Sequence, residues 1–101
     1  MGRIYRRTSP NVGAIVSSAR YITVATSPIT LLVMTSGSQS MSVFNHGSGN
    51  LVWGGTNVAV NSGNYLFVNM RTEWQNLQDG WSTYLVADSV ATIISVVEYG
   101  I

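Results

Sequence analysis

The sequence predicts an all-β fold: an antiparallel β-sandwich, jelly-roll-like or immunoglobulin-like, with about eight short strands and an extended N-terminal arm. Three observations predict it. Val, Ile and Thr number 13, 7 and 9 among 101 residues, whereas Ala, Leu, Glu and Lys together number 14. Branching at Cβ restricts rotamers in a helix and suits a pleated surface. Short apolar runs are punctuated by Gly, Asn and Ser every ~10 residues, the spacing of a sandwich or small barrel. Finally, only 9% of residues are charged, against about 25% in an ordinary soluble domain, and 46% are apolar. That balance excludes a wholly disordered chain and leaves Ser, Thr, Asn and Gly to build the surface.

Taken in order, residues 1–20 lack a sustained period, and Ser9-Pro10-Asn11 and Val12-Gly13 have turn chemistry. They are expected to form the arm, with one short strand at 13–17. The body, 21–101, carries candidate strands at 21–26, 29–35, 40–45, 50–54, 57–60, 64–70, 81–87 and 91–99. Between them, Ser36-Gly37-Ser38, His46-Gly47-Ser48-Gly49 and Asn61-Ser62-Gly63-Asn64 tolerate positive φ. Ile22 and Val24 alternate with Tyr21, Thr23 and Ala25, and Met41 and Val43 with Ser42 and Phe44, so one face of each strand points inward. One segment departs from the β pattern. Thr72-Glu73-Trp74-Gln75 has the spacing of a helix capping box and is closed by Asp79-Gly80, which predicts one helical turn or a compact loop.

The last strand is apolar on both sides, with Val90, Ile94 and Val96 on one and Ala91, Ile93, Val97 and Tyr99 on the other. In a single thin domain, something outside the subunit must cover the second side. A domain of this size has a modest core, so association with further copies is expected, as a dimer or trimer through Ile93, Val97 and Tyr99. Charge is lopsided: residues 1–50 hold Arg3, Arg6, Arg7 and Arg20 and no acid, whereas residues 51–101 hold Arg71 against Glu73, Asp79, Asp88 and Glu98. Arginine makes directed, bidentate contacts, so Arg3, Arg6 and Arg7 are the candidate partner-binding residues of the arm.

Catalytic and cofactor chemistry finds little support. Cysteine is absent, which excludes disulfides, cysteine nucleophiles and cysteine-bound zinc. The single histidine, His46, has no Gly-x-Ser-x-Gly elbow to pair with, and the four carboxylates are scattered. Gly47-Ser48-Gly49 and Trp53-Gly54-Gly55 lack the Lys-Ser/Thr and the helix of a phosphate loop. No enzyme activity, cofactor or metal is expected. Three arginines around one tyrosine make a weak patch for nucleic acid. From Tyr21 to Met70 no residue is charged, but Pro28, Gly37, Asn45, Gly47, Gly49 and Gly54 interrupt the span, so no membrane-spanning helix fits. Met1-Gly2 is followed by Arg6 where acylation needs Ser or Thr, and Pro10 and Arg20 spoil a signal peptide. The alternative with most chemistry behind it is sugar stacking by Trp53, Trp74 and Trp81, as in a carbohydrate-binding module; their other role is core and interface packing.

From Met41 the pattern Ser-Val-Phe-Asn-His-Gly-Ser-Gly-Asn-Leu-Val-Trp-Gly-Gly-Thr-Asn-Val, then Asn61-Ser62-Gly63-Asn64-Tyr65-Leu66, Thr83-Tyr84-Leu85-Val86-Ala87 and Ile94-Ser95-Val96-Val97-Glu98 resembles small β-sandwich virion proteins of tailed bacteriophages, among them capsid decoration or cement proteins. The resemblance covers about residues 41–99 and rests on turn chemistry and alternation; after Leu66 the chain departs from it, with Phe67 to Asp79 in place of a Pro or Gly-Glu turn. It implies a non-enzymatic structural protein on the virion head surface, made in the host cytoplasm and bound to the major capsid protein. Oligomeric sandwiches would bridge capsomers through the arm and an apolar strand face. A tail or fibre component is the variant reading.

Overall fold

A computed structural model describes residues 15–100. These form eight strands: β1 (Ile15–Val24), β2 (Thr30–Val33), β3 (Ser38–Asn45), β4 (Leu51–Gly54), β5 (Asn64–Leu66), β6 (Arg71–Trp74), β7 (Ser82–Ala87) and β8 (Thr92–Gly100). They make two four-stranded antiparallel sheets, ordered β1-β8-β3-β6 and β2-β7-β4-β5, with no helix among the described residues. The all-β expectation holds, and the arrangement is compatible with a β-sandwich. Pairing is nested: β1 with β8, β2 with β7, β3 with β6 and β4 with β5. Contacts β3·β8 and β4·β7 then join these pairs into sheets.

Alternation decides which side chains meet between the sheets. Val24, Met41, Val43, Ile94 and Val96 from the first sheet pack with Leu32, Leu51, Leu66, Leu85 and Ala87 from the second in one buried cluster. Each of the Val, Leu, Ile and Met side chains contributes roughly 1.5–3 kcal/mol by leaving water. Ile22 and Val24 point inward and Tyr21 and Thr23 outward, as the sequence predicts.

Two expectations need correction. The capping box at 72–75 is not helical: β6 pairs Thr72 with Val43 and Trp74 with Met41, sending Arg71 and Glu73 outward. Asn76 then turns the chain at φ 57°, and the Leu77 N–H donates to the Gln39 carbonyl at 2.8 Å. An open β3 edge outcompetes a local helical turn once Thr72 and Trp74 gain an apolar face to cover. The candidate strand at 57–60 is a folded-back lobe, closed by reciprocal hydrogen bonds between Ala59 and Ser62 around Asn61 at φ 72°. Its Val58 is buried on the outer side of the second sheet with Val52 and Val86, between Tyr65 and Tyr84. Gly63 permits this approach, since a Cβ there would lie 2.6 Å from Val52 and 2.7 Å from Val58.

Of the expected arm, residues 15–20 belong to β1 and pair with β8.

Candidate functional site

Arg3, Arg6 and Arg7 lie outside the described residues. The expected subunit-contact residues do share one surface. Ile93, Val97 and Tyr99 project from the outer side of β8, flanked in register by Thr23, Ala19 and Val16 of β1, with Ser42 and Ser40 of β3 beside Val97 and Tyr99. Ile93 is about half exposed, and Val97 and Tyr99 are half-buried by their own chain.

Beside them, Tyr21, Phe44 and His46 surround Ser95. The His46 ring lies 4.5 Å from Phe44 and 5.8 Å from Tyr21, centroid to centroid, and its Nε2 is 2.9 Å from Ser95 Oγ. That separation is within reach of a nucleophile and its base. Ser95, however, sits mid-strand between Tyr21 and Phe44, where the ladder engages backbone N–H groups that could otherwise serve an oxyanion. The arrangement presents a mixed aromatic and hydrogen-bonding surface.

Trp53, Trp74 and Trp81 come together at the other side of the molecule. Trp74 stands at 87° to Trp53 and 47° to Trp81, each at a centroid distance of 5.0 Å. Trp53 belongs to one sheet and Trp74 to the other, and all three are half-buried against the core with Leu77. Rings tilted onto one another stitch the sheets together; they do not form the coplanar row that stacks successive sugar rings.

Two buried polar centres escaped the sequence reading. Glu98 is fully buried, pointing inward from β8 in phase with Ile94 and Val96. Arg20 Nη1 donates to its Oε2, the Thr35 N–H donates to Oε1 at 2.6 Å, and Thr35 Oγ1 donates to Oε2 at 3.2 Å. Arg20 also reaches Ser18 Oγ and the Val33 carbonyl. Burial pushes the Glu98 carboxyl up, but hydrogen bonds from Arg20, the Thr35 N–H and Ser38, with the Arg20 charge, more than offset it and hold the group below its ordinary 4.5. Strand phase was the available signal: Arg20 shares parity with Ile22 and Val24, and Glu98 with Val96.

Asn45 is the second centre, also fully buried. Its Nδ2 donates to the Gly49 and Leu66 carbonyls at 3.0 and 3.1 Å, and its Oδ1 accepts from the Gly47 N–H at 2.9 Å and Thr92 Oγ1 at 3.1 Å. All four hydrogen bonds an amide can make are filled. Gly47 is required there, because a Cβ would fall 1.4 Å from Thr92 Oγ1.

Among the described residues, no three of His, Cys, Asp and Glu come close enough to hold a metal, and no helix is long and apolar enough to cross a membrane. Concavities over Gly55–Gly63 and Asn76–Trp81 are open loop surfaces. Compared with known proteins, the chain matches no family model, no curated protein and no solved structure.

Proposed function

We propose that this protein is a non-enzymatic virion structural protein, a capsid cement or decoration protein that binds and stabilises a phage head shell. The observation that carries the reading is the nested pairing of first strand with last, second with seventh, third with sixth and fourth with fifth. It favours a jelly-roll-like over an immunoglobulin-like sandwich, and viral capsid domains use that architecture widely. Fold alone does not confer function; the sparse charge, the apolar outer face of β8 and the arginines ahead of β1 add the means of attachment. In this reading Arg3, Arg6 and Arg7 contact the major capsid protein, Ile93, Val97 and Tyr99 meet other copies, and the clamped shell resists expansion.

The test is cosedimentation of the purified protein with shells of the major capsid protein. Replacing Arg3, Arg6 and Arg7 together by Ala should abolish binding and leave the thermal transition unchanged. Truncation must stop before Ile15, because removing residues 15–20 would strip six of the ten residues of β1, Arg20 among them. Full occupancy by the triple variant would remove the clamp.

A further inference from the structure

We propose that two copies of this chain pair edge to edge through β1, antiparallel, with Tyr21 opposite Tyr21 of the second copy. The inference adds to the oligomeric part of the reading above a contact at the β1 edge, separate from the outer β8 face of Ile93, Val97 and Tyr99, and does not depend on capsid binding. Among the described residues β1 is the longest strand, ten residues, yet it lies at the edge of its sheet with β8 as its one ladder partner. It also carries the three most exposed large apolar side chains among the described residues: Tyr21 at 74%, Ile15 at 65% and Val16 at 54%.

Ladder phase fixes the register. The His46 N–H donates to the Ile93 carbonyl at 2.9 Å, continuing the β3·β8 ladder, so the Ile93 backbone faces β3. In an antiparallel sheet successive residues direct their backbone groups to opposite sides. Ile94, Val96 and Glu98 therefore turn theirs toward Ile22, Arg20 and Ser18 of β1. The N–H and C=O groups of Ala19, Tyr21 and Thr23 are left pointing at the open edge. That set is symmetric about Tyr21, so a two-fold axis there places Ala19 of each copy opposite Thr23 of the other and forms about six backbone hydrogen bonds.

The usual protections against such pairing are weak here. The chain has no lysine, the strand has no proline, and its one charge, Arg20, turns inward to Glu98. The axis brings the two Arg20 residues onto one diagonal, but each is neutralised by its own Glu98. The bulge between Val16 and Ser18 limits regular pairing to Ser18–Val24. Across the sandwich, where Arg20 reaches the Val33 carbonyl, β2 is the edge strand of the other sheet and extends this side of the molecule to two layers. Seven residues of strand across two layers give a strip on the order of 500 Å² per copy, about 1,000 Å² in total, at the lower bound for specific association.

Cysteine cross-linking of the full chain tests this, because the protein has no thiol of its own. A directly opposed pair has its Cα atoms about 5.5 Å apart, inside the disulfide range. Tyr21→Cys should convert to covalent dimer on mild oxidation. Thr23→Cys, whose copies would sit roughly 14 Å apart along the strands, should not, whereas an equal mixture of Ala19→Cys and Thr23→Cys should cross-link. Circular dichroism establishes that each variant is folded. Sedimentation equilibrium of the unmodified protein should show mass doubling with concentration, and Tyr21→Pro should shift the midpoint at least tenfold. A monomer at millimolar concentration, or cross-linking at Thr23 or Ile93→Cys in preference to Tyr21, overturns the pairing. Loss of shell binding by an intact dimer would count against the capsid reading alone.

Discussion

Asn45 and Glu98 both project from the same sheet into the space between the sheets, and both are fully buried, but they resolve desolvation by different chemistry. Asn45 is neutral and ties the 46–49 turn, the end of β5 and Thr92 together with four hydrogen bonds. Glu98 is charged and ties β8, β1 and the segment after β2 through Arg20 and Thr35. The neutral centre has no proton to gain or lose, so its contribution is constant with pH. The ionic one makes one end of the molecule acid-sensitive, and its burial is tolerated only because every partner is in place.

Substitutions should separate the two ends. Asn45→Ala strands two carbonyls, one N–H and one hydroxyl, and should cost about 4 kcal/mol in denaturant unfolding, by the same amount at pH 7 and pH 4. A cost that changes with pH would mean the ends are coupled. Arg20→Met should cost about 3 kcal/mol at pH 7, since it leaves a buried carboxylate without its cation. With burial then dominating, the Glu98 carboxyl rises above its unfolded value, so the penalty should shrink as pH falls. A constant penalty would show that Arg20 acts by packing alone.

In the unmodified protein the sign is opposite. Glu98 is held below 4.5 when folded, so its stabilisation is complete above that pH and is lost as pH falls through the lowered value. Glu98→Gln should flatten this limb of the stability curve, measured by unfolding between pH 6 and pH 2; an unchanged slope would place the acid sensitivity elsewhere. The smallest effect belongs to the exposed surface. His46→Ala removes ring contacts and the bond to Ser95, and should change stability by under about 0.5 kcal/mol in denaturant unfolding at pH 7.

What was legible in the sequence follows from the period of two. Ile22, Val24, Met41, Val43, Ile94 and Val96 announce their inward side by alternation, and the Gly- and Asn-rich turns announce where strands end. The strand at 71–74 was hidden because Thr72 and Gln75 have helix-capping spacing, and only the open edge of β3, a non-local feature, decides against it. The lobe at 55–63 was hidden because Val58 and Val60 alternate like a strand, whereas its role is set by a hollow over Val52 and Val86. The polar centres were hidden by convention: a charge is assumed to face water, and Arg20 and Glu98 do not. No rule of alternation could bring Trp53, Trp74 and Trp81 together, since they come from different sheets.

The lobe that seats Val58 over Val52 and Val86 has a further consequence for any assembly. It covers Val52 and Val86 on the second sheet with apolar surface of the same chain, while among the described residues nothing comparable covers Tyr21 and Ile93 on the outer side of the first. The subunit is therefore two-sided in the way a roof tile is. Two copies joined through β1 about an axis normal to the sheet would turn the same cheek outward, giving the pair distinct upper and lower surfaces.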